Sequence, residues 1–272
     1  VDKKAARTII RRTIPMFHHG DKMYQRLSDE LMIKRTSEQL FVQDTVSSKN
    51  HHANYASPPA FRYAGRPIPE NIPHVLIVGA QRAGTTYLRD MLGRQSELLA
   101  YPGEPHFFDE RKYTKSTCLS VYATYLQNYT SLGHRYAQFY SRHRHILLEK
   151  TPGYISFPDR IVPCMPNDTK YIFMLRDPVE RAYSNYLTGI RNGKIPRSRT
   201  FDDLLSKQWS RTDPKSVLRR GDYVHDLREW FRMVPSHNIL IIHFEEMFVS
   251  RTFDWSVLQR FVGLKTPLRN IR

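Results

Sequence analysis

The stretch His74-Val-Leu-Ile-Val-Gly-Ala-Gln-Arg-Ala-Gly-Thr-Thr86 decides the fold. The apolar residues Val75–Val78 read as a short buried strand, and Gly79 and Gly84 bracket a turn that opens a helical pattern. A strand that runs through such a loop into a helix gathers backbone N–H groups at a helix N-terminus, where an anion can be held. The glycines have the spacing of a nucleoside-triphosphate loop, G-x-x-x-x-G-K-[ST], but Thr85 stands where the lysine that reaches the β- and γ-phosphates belongs. The basic residue comes earlier, at Arg82. A loop of this kind suits a nucleotide with a single 5′-phosphate.

A second segment repeats the pattern. Tyr171-Ile-Phe-Met-Leu-Arg-Asp-Pro-Val-Glu-Arg-Ala-Tyr-Ser-Asn-Tyr186 is an apolar run, a polar turn and then a helical period. Asp177 fits an N-cap and Pro178 the first helical turn. The spacing predicts Val179, Ala182, Tyr183, Tyr186, Leu187 and Ile190 on one face, with Arg181, Ser184 and Thr188 on another. Arg176, at the strand end, and Ser184 are predicted to converge on one anion.

Strand candidates at Val75–Val78, Ile146–Leu148, Tyr171–Leu175 and Ile239–Phe244 alternate with helical patterns. That alternation predicts an α/β fold, a P-loop-like parallel β-sheet flanked by helices on both faces, with ligand at the carboxyl ends of the strands. Kinases built on a P-loop share this plan, so they form the nearest competing enzyme class. Thr85 in the lysine position argues against them.

Two further segments narrow the family. Together with the loop at Gly79 and the Arg176/Ser184 pair, Glu104-Pro-His-Phe-Phe-Asp109 and Glu149-Lys-Thr-Pro-Gly-Tyr154 resemble the sulfotransferases that use 3′-phosphoadenosine 5′-phosphosulfate (PAPS). They are most similar to heparan sulfate glucosaminyl 3-O-sulfotransferases and N-sulfotransferase domains. Gly221–Phe231 and Asn238–Glu246 resemble the next helix and strand of that fold, so the resemblance runs from about Pro73 to Leu264.

The resemblance implies transfer of a sulfuryl group from PAPS to a polysaccharide hydroxyl by in-line displacement, with heparan-like glucosamine O-sulfation favoured. Sulfuryl transfer needs a base for the attacking oxygen and cationic donors for the leaving phosphate. Glu104 matches the family's base, His106 and Asp109 match residues that orient base and acceptor, and Lys150 matches a lysine near both substrates. Arg82, Ala83, Gly84, Thr85 and Thr86 would hold the 5′ end of the donor, and Arg176 and Ser184 its 3′-phosphate. Glu104, His106, Lys150, Thr151, Pro152, Gly153 and Trp230 are expected on the acceptor side, and no metal is expected. Close relatives carry lysine where this chain has Arg82; arginine keeps the charge but cannot give up a proton. The bland alternatives are solvated charges for Glu104 and Lys150 and wall or core positions for Phe107 and Phe108. For Trp230, its spacing with Tyr223, Leu227 and Phe231 fits a core role as well as a sugar platform.

Composition agrees with a polyanionic partner. Lys+Arg number 42 against Asp+Glu 26 in 272 residues, a formal net charge of +16. Charge by itself fits nucleic acid as well as an anionic polysaccharide, and nucleic-acid binding is its bland reading; no zinc-finger spacing, RNP segment or heptad-linked basic region is present, and the resemblance implies an anionic polysaccharide partner and no nucleic acid. Cys118 and Cys164 fit either a lumenal disulfide or two thiols. Asn128-Tyr-Thr130 and Asn167-Asp-Thr169 are glycosylation acceptor patterns, usable in a secretory compartment.

No signal peptide and no apolar run of membrane-spanning length is present. The family implies a Golgi-lumenal enzyme, a type II membrane protein anchored by an N-terminal helix in full length. Residues 1–70 are read as an extension or stem and 71–272 as the sulfotransferase domain. A helix is predicted over Asp21–Val42, and the pairs His18-His19 and His51-His52 are read as solvated. Relatives continue past Phe-Val-Gly-Leu264 into a basic loop that closes over the nucleotide, which this stretch is expected to lack. The non-enzyme alternative is therefore a truncated, non-catalytic polyanion-binding domain.

Overall fold

The computed structural model describes residues 72–110, 118–129, 146–203 and 219–268, with short strand pieces at Lys34–Thr36, Gln39–Phe41, Arg62–Tyr63 and Arg66–Pro67. Its centre is a five-stranded sheet: β1 (Val75–Gly79), β2 (Leu98–Ala100), β3 (Ile146–Lys150), β4 (Lys170–Leu175) and β5 (Ile239–His243). The order is β2-β3-β1-β4-β5, and every neighbouring pair is parallel. β1 is buried along its whole length, as an apolar strand covered on both faces must be. The chain leaves β1 toward β2 and β3 on one side and later returns to β4 and β5 on the other. The carboxyl end of β1 is thus the switch point, where α/β sheets hold their ligands.

The four predicted strands are all present. β2 was not expected: three residues are too few to show a period. β3 runs two residues further than its apolar stretch, because the ladder continues through Glu149 and Lys150, where Glu149 pairs with Leu76 and Lys150 with Ile77.

The helices cover this sheet. α1 (Thr85–Leu92) buries Leu88, Met91 and Leu92. α2 (Phe107–Glu110) and α3 (Cys118–Tyr129) share an aromatic box, and α4 (Pro158–Ile161) follows β3. A Cys118–Cys164 disulfide ties α3 to the segment after α4, so the two cysteines are paired rather than free. α5 (Pro178–Arg191) starts as predicted, with Asp177 Oδ1 accepting from the backbone N–H groups of Val179 and Glu180, each at 2.9 Å.

The faces of α5 differ from the expectation. Val179 and Ala182 are buried, but so is Arg181, whereas Leu187 is 48% exposed. The cause is tertiary: the first turns of α5 pack against the Arg219–Gly221 turn, where Gly221 lies close to Pro178, while the last turns are only partly covered. α6 (Tyr223–Met233), α7 (Phe244–Phe248) and α8 (Trp255–Val262) complete the layers.

Trp230 on α6 is a core residue and not a sugar platform. It is fully buried, its indole N–H donates to Ile155 O at 2.8 Å, and its ring packs on Tyr171 and Phe173. Burial of its apolar face with Tyr223 and Leu227 decided between the two roles that the spacing allowed.

The helix predicted over Asp21–Val42 is contradicted where the segment is described. Lys34–Thr36 and Gln39–Phe41 pair antiparallel, and the rest of the span lies outside the described residues, as do both histidine pairs. Without good caps, intrinsic propensity is too weak to hold such a helix. Among the described residues no helix is long and apolar enough to cross a membrane.

Candidate active site

Three limbs meet beyond the carboxyl ends of β1, β3 and β4. The first is the loop from Arg82 to Thr86. Gly84 has φ 86°, and a Cβ there would lie 2.7 Å from the Phe248 ring, so both backbone conformation and space demand glycine. No side chain caps α1, which leaves its first-turn N–H groups for an anion. Ala83 and Thr85 are buried and offer backbone, while Arg82 and Thr86 are exposed.

The second limb comes from β4 and α5. Arg176 and Ser184 do converge, and what they converge on in this structure is Arg82. Arg82 Nε donates to Ser184 Oγ at 3.3 Å, and an Arg176 amino group donates to Arg82 O at 3.2 Å. The Arg176 guanidinium also lies 4.2 Å from the Phe244 ring centroid and 3.9 Å from Glu180. Partial desolvation of the Arg82 guanidinium within the loop lowers its pKa, and the nearby charges of Arg191 and Arg176 push it the same way, against Glu104. The corner therefore carries excess positive charge, the setting in which an anionic ligand relieves repulsion. Arg191 was not singled out from sequence, although its spacing of seven from Ser184 puts it on the same helical face. Arg220, which donates to Gln81 Oε1 in the loop, carries no such periodic signal.

The third limb holds the carboxylates. Tyr129 donates to Glu104 O at 3.0 Å, Tyr125 to Pro105 O at 2.6 Å and Arg89 to Gly103 O at 3.2 Å, so the loop before α2 is pinned by two elements. His106 then adopts a left-handed φ of 56°. Its Nδ1 lies 2.8 Å from Asp109 Oδ2 and its Nε2 lies 3.4 Å from Glu104 Oε2, so the ring is oriented from both sides.

Lys150 joins the limbs. Its Nζ is 2.5 Å from Glu104 Oε1 and 3.3 Å from Thr86 Oγ1. The result is a continuous polar chain, Asp109–His106–Glu104–Lys150–Thr86, from the carboxylate limb to the anion loop. Lys150 is buried, which lowers its pKa, while the Glu104 hydrogen bond and charge act in the opposite direction.

Thr151 and Pro152 stand behind this chain rather than on its open face. Both are buried, and Thr151 donates to Glu149 Oε1 at 2.7 Å. Gly153 stays half-buried against Asp109, where any Cβ would overlap Oδ2. Phe107 and Phe108 are fully buried, which places them in the wall.

The sulfotransferase domain family matches residues 72–272. Heparan sulfate glucosamine 3-O-sulfotransferase 3B1 of Homo sapiens is 32% identical over 204 residues, covering 72% of this chain and 47% of that protein. The human 3A1 protein is 32% identical over 204 residues, covering 72% of this chain and 45% of its own length. The chain spans about half the length of the curated relatives it matches. A sulfotransferase from Alicyclobacillus acidocaldarius shares the fold, with a TM-score of 0.53 and 21% identity over 74% of this chain and 87% of that one.

Proposed function

Because the chain belongs to the sulfotransferase domain family, we propose that it transfers a sulfuryl group from PAPS to a hydroxyl of an anionic polysaccharide, with heparan-like glucosamine O-sulfation favoured. The observation that carries this is the position of Lys150, hydrogen-bonded at once to Glu104 and to Thr86 of the anion loop. A base for the acceptor and a cradle for the donor are thereby held by one ammonium.

The residues fit a nucleotide bearing two separate phosphate groups. Gly84 keeps the cradle open, and Arg82, Arg176 and Arg191 crowd positive charge around it. Arg176 Nε is buried with no partner among the described residues, so one donor is left for a ligand oxygen. The donor supplies an activated sulfuryl group. Glu104 takes the proton of the acceptor hydroxyl as the new O–S bond forms and the S–O bond to the phosphate breaks. Arg82 and Lys150 stabilise the charge that collects on the departing phosphate. His106, fixed by Asp109, holds Glu104 in place.

The net charge of +16 supports a sulfated or uronate-bearing acceptor, and the Cys118–Cys164 pair supports an oxidising compartment. The Golgi lumen is the compartment proposed, with glycosylation at the exposed Asn128 and Asn167. Calorimetric titration with 3′-phosphoadenosine 5′-phosphate, beside ATP with magnesium and a heparin oligosaccharide, tests the site. Metal-independent binding of the bisphosphate that is lost in Arg176→Ala supports sulfuryl transfer. Oligosaccharide binding without nucleotide binding contradicts it and favours a non-catalytic polyanion binder.

A further inference from the structure

Glu149 precedes Lys150 on β3, and its carboxyl group is fully buried. Tyr122 of α3 donates to its Oε2, and Thr151 donates to its Oε1 at 2.7 Å. Tyr154, also buried, lies beside it and accepts from the backbone N–H of Phe107 at 3.0 Å, the first residue of α2. The rings of Phe107 and Phe108 pack on Tyr122 at 4.7 and 4.8 Å, and Phe108 packs on Tyr154 at 5.3 Å. One carboxyl group thus joins α3, β3 and the turn after it beneath the helix that carries Asp109.

We infer that Glu149 is a positioning residue: it holds the box that sets Asp109, and through Asp109 the His106 ring against Glu104. This role presupposes the sulfuryl transfer proposed above only for its kinetic readout. Burial pushes the Glu149 pKa up to about 8, and the Asp109 charge acts the same way; the Thr151 and Tyr154 hydroxyls and the Lys150 ammonium oppose this. Near neutrality Glu149 is therefore largely uncharged, and Asp109 faces no second carboxylate. As pH rises through about 8, Glu149 gains a charge that repels that of Asp109, and the Asp109–His106 contact is expected to be disturbed.

The groups that face Glu149 are Tyr122 from α3, Asp109 from α2, Thr151 and Tyr154 from the turn, and Lys150 on its own strand. Glu149→Gln keeps shape and neutrality, whereas Glu149→Leu keeps neither hydrogen bond.

Two readouts test the role. In the first, the His106 ring Cε1 shift is followed against pH, assigned with His106→Gln. The parent is expected to show an inflection near the Glu149 ionisation that Glu149→Gln lacks; superposed curves would overturn the inference. In the second, transfer from PAPS to an N-sulfated heparan oligosaccharide is followed against pH. Glu149→Leu is expected to lose about tenfold or more in kcat, with the KM for PAPS nearly unchanged, since small misplacement of a catalytic group is costly. Glu149→Gln is expected to recover most of that loss and to remove the alkaline decline near pH 8. Equal rates for the leucine and glutamine variants would overturn the inference. If the parent transfers nothing, the proposed activity fails, and the ring titration still decides the role of Glu149.

Discussion

Lys150 Nζ lies 2.5 Å from Glu104 Oε1, a contact between the end of the third strand and a loop 46 residues earlier in the chain. It exists because β3 and the Glu104 loop both end at the carboxyl edge of one parallel sheet. Two segments that sequence order separates are thereby brought to the same mouth as the anion loop.

Arg82 is expected to act through its charge. Arg82→Lys keeps a cation but loses the Nε contact to Ser184, so transfer should stay within about tenfold of the parent. Arg82→Ala should fall by about 10² to 10³, the cost typical of losing one transition-state donor. Steady-state rates at saturating PAPS measure both, and an unchanged rate for the alanine variant rejects the role.

Glu149 gives the fold a pH dependence of defined sign. Its pKa is raised in the folded state, so the native protein binds more protons than the unfolded chain between the ordinary glutamate range and about pH 8. Its contribution to stability is fully present below that window, falls as pH rises through it and levels off above. The Tm of Glu149→Gln relative to the parent should therefore rise from pH 5 to pH 8 and then stay flat. A constant difference would show that the carboxyl does not titrate in that window.

Much of this was legible in the sequence because it is local. Gly84, Asp177 and Pro178 announce loop and cap by their own backbone preferences, and four apolar strands announce the sheet. Glu104, His106, Asp109 and Lys150 were legible through the family pattern. What stayed hidden depends on tertiary packing. The strand at Leu98–Ala100 is too short for a period, Arg181 is buried by a turn some 40 residues later in the chain, and the burial of Trp230, Thr151 and Pro152 follows from what packs above them.

Trp230 offers a check on that packing. Trp230→Ala should destabilise the domain by about 3–5 kcal/mol, as expected for a large aromatic side chain removed from a core. Trp230→Phe should cost less and leave acceptor KM unchanged, measured by denaturant unfolding alongside kinetics. A stable Trp230→Ala protein with weakened acceptor binding would return the residue to the sugar-platform role.

Glu104 is proposed as the base at a site where donor and acceptor meet. Single-turnover transfer by Glu104→Gln, with affinity for 3′-phosphoadenosine 5′-phosphate measured on the same preparation, tests it most directly. The expected result is unchanged nucleotide affinity with transfer lowered by about 10² to 10⁴, the range of general-base catalysis. Near-normal transfer by Glu104→Gln with nucleotide bound would contradict the assignment.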